Sequence, residues 1–499
     1  MLFNSYQFIF LYLPTVFLGF FFISRISRHL AILWLGAASL FFYGWWNPKF
    51  VLLLLASIIF NYGMGYAIGH LRIVSKGKAL LTIAIGSNLA LLGYFKYANF
   101  FINTIDGLAD GEIPLTNVTL PLGISFFTFT QIAFLVDVYR GIAHEYRFIH
   151  YLLFVSYFPH LIAGPILHHK QIIPQFADPV IYQVRSENVA LGLIIFTIGL
   201  AKKVLLADSF AEYANPIFDA TQGGVQPGLV AAWTGALAYT LQIYFDFSGY
   251  SDMAIGASHL FNIEIPINFN SPYKSKNIIE FWRRWHITLS QFLKDYLYIP
   301  LGGNRHGKIR RYENLIVTML LGGLWHGANW TFVAWGGLHG FYLLINHAWH
   351  EFRTHISLPS KEPSYLSTIF GSALTFVLVV VAWVFFRAES FHTAFAILKG
   401  MGNIGEFKEL YPKTLSMTFE GIYDIYKVPQ DSGGYVLTIF SFGLGIVWLL
   451  QNTQKLSSYY RFSDYRIHFF VIGMLCFCIF MLVTINASRG ISEFIYFNF

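Results

Sequence analysis

Long apolar stretches interrupted by short polar ones organise this chain from end to end. Residues 120–136, 366–386 and 467–486 are nearly unbroken apolar runs. Each approaches the roughly 20 residues that a helix rising about 1.5 Å per residue needs to cross about 30 Å of hydrocarbon. By that criterion about ten to twelve segments qualify, which predicts an all-α polytopic membrane protein. The first run, Phe8 to Ile23, has no basic region before it and no small-x-small cleavage site after it, so a retained first helix is expected. The run at 151–166 is short and breaks at Pro159 and at Gly164-Pro165 before His168-His169-Lys170. That pattern predicts a re-entrant segment, tolerated at membrane depth where protein or a water-filled cavity surrounds it. No repeat of fixed period occurs, which argues against a solenoid or propeller.

Composition strengthens the membrane reading: 56% of the 499 residues are hydrophobic and only 12% are charged. Too little polar surface remains to cover a water-soluble body, and each charge at bilayer depth costs at least a few kcal/mol. The net charge of +7 does not point to nucleic acid, because the basic residues lie between the apolar runs. Arg25 and Arg28, then Arg72, Lys76 and Lys78, then Arg140 and Arg147 mark alternate loops as cytoplasmic. The intervening loops are uncharged, at Gly44 to Pro48, or acidic, near Asp106, Asp110 and Glu112, so the N-terminus is expected outside. Cys476 and Cys478, the two cysteines, lie within the last apolar run and are expected to be packing residues.

The most basic stretch, Pro266 to Tyr312, includes Lys274, Lys276, Arg283, Arg284, Lys294, Arg305, Lys308, Arg310 and Arg311 and is expected on the cytoplasmic side. Within it, Phe281-Trp282-Arg283-Arg284-Trp285-His286 interleaves aromatics with cations, which suggests an amphipathic helix at the interface. A second polar region, 400–434, reads as an exposed loop between late helices.

Polar residues at bilayer depth need a reason. His326 lies between the apolar run Leu315 to Leu324 and the span Trp330 to Ile345, flanked by Gly322, Gly323 and Gly327, which permit close backbone approach or a broken helix. Burial alone does not separate a catalytic histidine from a packing one. His339 could face the same cavity, although helix packing is the simpler role. The spacing of His326, His339 and His347 matches no zinc signature, and the adjacent His168 and His169 do not readily share one face, so no metal site is expected. Asp246 and Asp252 stand at the end of an apolar run, either as a helix terminus paired with the basic segment or as a polar wall of a substrate tunnel. The terminus is the simpler role for Asp252; for Asp246 both stay open.

Several ordered motifs together resemble the membrane-bound O-acyltransferase superfamily, in its bacterial alginate O-acetyltransferase branch. They are Phe42 to Pro48 (FYGWWNP), Leu120 to Phe129 (LPLGISFFTF), Phe158 to Pro165 (FPHLIAGP), Tyr244 to Asp252, Phe281 to His286, and Leu324 to Asn329. The resemblance implies a single membrane domain, 1–499, with re-entrant and interfacial helices around a central tunnel. It makes His326 of Trp-His-Gly the essential residue and His286 of Arg-Arg-Trp-His the second histidine, with Trp325, Asn329, Asp246, Asp252, Arg283 and Arg284 as donor-site or tunnel-lining candidates. Ile166-Leu167-His168-His169 departs from the branch, which commonly has a charged residue after Gly-Pro; this leaves the exact polymer open.

The implied activity is O-acetyl transfer from a cytoplasmic thioester, acetyl-CoA, to a secreted polysaccharide such as alginate, in the bacterial inner membrane. No bound cofactor is expected, and the implied partners are extracytoplasmic esterase-like proteins. A secondary transporter would also use broken helices, but the paired halves typical of that class are missing. A non-catalytic export scaffold would need no buried histidine. A lipid or sterol acyltransferase of the same superfamily matches the outer motifs less well.

Overall fold

The computed structural model describes residues 1–70, 74–109, 113–143, 147–355, 364–403, 405, 425–428, 433–457 and 465–498. Most of 404–432, and so most of the predicted polar loop, lies outside the described residues. Every regular element among those described is helical. Among the described residues, six helical stretches are long and apolar enough to cross a membrane: Gln7–Ser24, Lys49–His70, Ser75–Ala109, Ser186–Gln222, Tyr365–Arg387 and Phe470–Ser488. Ile124–Tyr139 and Leu437–Leu449 are shorter apolar helices.

The chain forms two compact units, one of Met1–Leu200, Tyr250–Ile267 and Thr453–Asn498, the other of Ala201–Gly249 and Asn268–Asn452. In the first, polar side chains join helices whose outer faces are apolar. Asn61 and Asn88 exchange hydrogen bonds of 3.1 and 2.6 Å, and Gln131 donates to Ser57 at 2.9 Å. Such pairs act as glue where apolar burial has no driving force. The helix Phe148–Ser156 ends before Pro159, and turns followed by irregular chain lead to the helix His169–Ala177. Cys476 is exposed on the helix Tyr465–Arg489, which corrects its expected packing role.

Asp252 is not at a helix terminus. It lies inside the helix Leu229–Leu260 and accepts hydrogen bonds from Thr453 Oγ1 at 2.6 Å and Gln454 Nε2 at 2.9 Å. His168 and His169 also depart from expectation, because both rings reach one carboxylate. His169 Nε2 lies 2.9 Å and His168 Nδ1 3.6 Å from Asp137 Oδ2. The turn at the start of His169–Ala177 permits this where a continuous helix would not. These three residues present possible metal-ligand atoms within 4.8 Å of one another. Arg140 also stands 4.0 Å from Asp137.

The second unit holds both signature histidines. Its centre is the hairpin of Gly307–His326 and Trp330–His355. Gly323 and Gly336 let the two backbones touch: a Cβ at either would collide with the carbonyl oxygen of Phe332 or Met319. The helix Tyr365–Arg387, capped by Ser364, contributes buried Trp383 and Phe386.

Candidate active site

His326 is the last residue of its helix, and the chain turns away at Gly327 in an extended conformation. A side chain on Gly327 would overlap the Phe332 ring, so the turn requires glycine there. The imidazole is 2% exposed. It stands edge-on to Trp335 at 5.1 Å between ring centroids, 5.2 Å from Phe386 and 4.9 Å from Trp325.

His286 arrives by a different device. The predicted amphipathic helix is two short helices, Ile278–Arg284 and Ile287–Leu293, separated at Trp285-His286. His286 has φ 42°, in the left-handed region that a non-glycine residue rarely adopts. That break turns the ring inward, and Phe281, Trp285 and His286 are core residues rather than an interfacial face. Asn268 Oδ1 lies 3.0 Å from His286 Nδ1 and also accepts from the Thr288 backbone N–H at 3.3 Å and its hydroxyl at 3.0 Å. An amide oxygen only accepts, so Nδ1 carries the proton and Nε2 keeps its lone pair. Burial holds this ring well below the ordinary histidine pKa, which keeps it neutral. Phe247 closes the other side, edge-on at 4.8 Å, and the His286 and His326 rings are 6.3 Å apart.

The other expected residues distribute unevenly. Trp325 joins the two histidines, 6.2 Å from the His286 ring. Asn329 caps the next helix, accepting from Thr331 N–H at 3.1 Å and donating to the Glu389 carbonyl at 2.8 Å. Asp246 pairs with buried Lys203 at 2.8 Å, and Lys203 also meets Asp208 at 2.8 Å. Arg284 is bound by Glu280 at 2.7 Å, and Arg283 and Arg284 border a separate cavity of about 500 Å³ with Asn270, Asn277 and His350. Lys203 was missed, although a lysine within a long apolar run is itself a signal. Asn268, Phe247, Trp335 and Phe386 carry no local signal and come together only through folding.

A second cavity, of about 550 Å³, opens beside the hairpin. Lys294, Arg305, Arg311 and His347 supply its basic lining, and Trp282 and Leu343 an apolar wall. Arg311 donates to His347 Nδ1 at 2.8 Å, which requires that nitrogen to carry no proton. Glu351 binds Lys308 at 3.0 Å and lies 3.9 Å from Arg311.

Residues 76–391 match the family model described as MBOAT, the membrane-bound O-acyltransferase family. The chain is 44% identical over 433 residues to a peptidoglycan O-acetyltransferase of Helicobacter pylori, covering 80% of each protein. It is 42% identical over 449 residues to a probable alginate O-acetylase AlgI of Pseudomonas putida, covering 86% of this chain and 88% of that one. Similarity extends, at 30% over 253 residues, to a teichoic acid D-alanyltransferase of Streptococcus thermophilus, covering 48% of this chain and 60% of that one.

Proposed function

The chain belongs to the membrane-bound O-acyltransferase family and is a membrane acyltransferase, and from that membership we propose that it moves acetyl groups from a cytoplasmic thioester to a secreted polysaccharide. Acetyl-CoA is the donor, and the acceptor is a carbohydrate polymer of the class named for its relatives, alginate or peptidoglycan. Extracytoplasmic esterase-like partners complete the transfer. The protein sits in the bacterial inner membrane with its N-terminus outside. The expected ten to twelve crossings around a tunnel are part of this reading, with the shorter apolar helices and the hairpin as further crossings.

The supporting observation is the pair of buried histidines 6.3 Å apart in the same unit as a basic cavity. A cationic mouth attracts a phosphorylated donor. His326 acts as general base: it takes the hydroxyl proton as the oxygen attacks the thioester carbonyl, and returns it to the departing thiolate. Such catalysis typically contributes about 10²- to 10⁴-fold. His286, oriented by Asn268, positions the thioester and supports His326.

The test is acetyl transfer from radiolabelled acetyl-CoA by purified protein in lipid, with His326→Ala beside the unchanged chain. Transfer is expected to vanish while thermal unfolding is preserved; turnover retained by the variant sinks the assignment.

A further inference from the structure

His339 lies on the same helix as Trp335 and is 0% exposed. Among the described residues, no group is within hydrogen-bond reach of either of its ring nitrogens, and the same holds for the indole nitrogens of Trp282 and Trp335. Its neighbours are aromatic: Phe281 stacks at 5.9 Å, Trp282 stands edge-on at 5.1 Å and Trp335 at 4.8 Å. Buried polar groups in native proteins are nearly always paired, so three orphans in one cluster need an explanation.

Their position supplies one. Trp335, His339, Leu343 and His347 follow one another at four-residue spacing, an i+4 ridge of the helix. His347 and Leu343 line the basic cavity, and Trp335 touches His326. Trp282 belongs both to the cavity wall and to the cage around His339. The ridge therefore runs from the cationic mouth to the reacting histidine, over about 18 Å at 1.5 Å per residue. His339 stands partway along it.

We propose that His339, with the indole N–H groups of Trp282 and Trp335, binds the amides of the pantetheine arm of the acyl donor. This rests on the acetyltransferase reading above. A neutral imidazole offers one donor and one acceptor, which is what a secondary amide presents in return, and an indole offers one donor to a carbonyl. The aromatic walls suit the methylene segments between the amides. Lys294, Arg305 and Arg311 hold the phosphate end, and the thioester end reaches His326. The arm is common to coenzyme A and to an acyl carrier protein, and either source presents the same amides. His339 is a binding residue and takes no proton in the reaction.

Steady-state transfer is to be measured for the unchanged protein, His339→Leu and His339→Asn, with acetyl-CoA and with acetylated acyl carrier protein as donors. Free pantetheine and adenosine 3′,5′-bisphosphate are added separately as inhibitors. Leu is expected to raise the donor KM and the pantetheine inhibition constant about tenfold, the scale of one or two lost hydrogen bonds, with kcat within about twofold. The nucleotide's inhibition constant stays unchanged, because the basic mouth is intact. Asn, which keeps a donor and an acceptor, is expected to restore most of the loss. A fall in kcat at constant KM overturns the proposal, as does an equal shift for both inhibitors, the signature of a merely structural role. Should His339→Leu fail to fold, Trp282→Phe keeps an aromatic ring but removes the indole donor, and is expected to weaken pantetheine more than the nucleotide; an unaltered pantetheine constant is equally fatal. Undiminished transfer by His326→Ala would instead defeat the underlying acetyltransfer reading.

Discussion

The rings of His286 and His326 lie 6.3 Å apart at the junction of elements that approach by unrelated means. His326 is delivered by a helix end that only a glycine can follow, and His286 by a left-handed residue between two short helices. Neither ring sits in the middle of a helix, where its backbone would be held by regular hydrogen bonding. Both are fixed instead by packing: Trp335 and Phe386 around one, Phe247 and Asn268 around the other. Side chains locked in this way retain the geometry on which positioned acid–base chemistry depends.

Asn268 holds that arrangement through one oxygen. Replacing it with leucine strands the His286 Nδ1 proton and the Thr288 N–H and hydroxyl without their shared acceptor. Each buried group left unpaired costs about 1–3 kcal/mol. Asn268→Leu is therefore expected to lower the thermal midpoint and to reduce acetyl transfer while His326 is untouched. Parallel unfolding and transfer assays check this, and unchanged turnover at full occupancy would show that His286 needs no orienting partner.

Lys203 is enclosed with two carboxylates, Asp246 and Asp208, each at 2.8 Å. Lys203 and Asp246 are almost fully buried, with side-chain exposures of 3% and 2%. Breaking a buried pair by removing one partner typically costs about 3–5 kcal/mol, because the charge left behind is uncompensated. Lys203→Met should destabilise strongly, and Lys203→Met with Asp246→Asn should recover part of the loss. Thermal unfolding of the two variants in detergent decides it: a double variant no more stable than the single one contradicts the pairing.

Part of this arrangement is legible in the sequence and part is not. His326 and His286 were recognisable because each sits in a short motif whose neighbours are contiguous in the chain. For Asp246 a pairing with the basic segment and a place in a tunnel wall both stay open in the sequence, and its buried partner proves to be Lys203, 43 residues earlier. Nothing local encodes that pairing, since it depends on which helix faces which. His286 shows a second limit: its left-handed backbone breaks what the aromatic and cationic pattern suggests is one amphipathic helix. The long apolar runs were legible for a physical reason, because crossing the hydrocarbon takes roughly 20 predominantly apolar residues in one stretch whatever the helix packs against. The aromatic cage around His339 was not, because its rings come from three separate helices.

The basic mouth makes a different kind of prediction, since its charges act at a distance. Arg305 and Arg311 line the cavity, and Arg311 is tied to His347 and flanked by Glu351. Exposed charges attract a phosphorylated donor before any contact forms, and salt screens that attraction over about 8–10 Å. Raising the ionic strength should therefore raise the KM for acetyl-CoA and leave that for acetyl-pantetheine, which lacks the phosphates, nearly constant. Arg305→Ala should act in the same direction and flatten the salt dependence, with kcat preserved because the reacting groups are elsewhere. Glu351→Gln should do the opposite, lowering the KM for acetyl-CoA, because it removes the carboxylate that partly neutralises Lys308 and Arg311. Equal salt responses for the two donors would mean that the cationic cavity does not receive the phosphates and that the donor enters elsewhere.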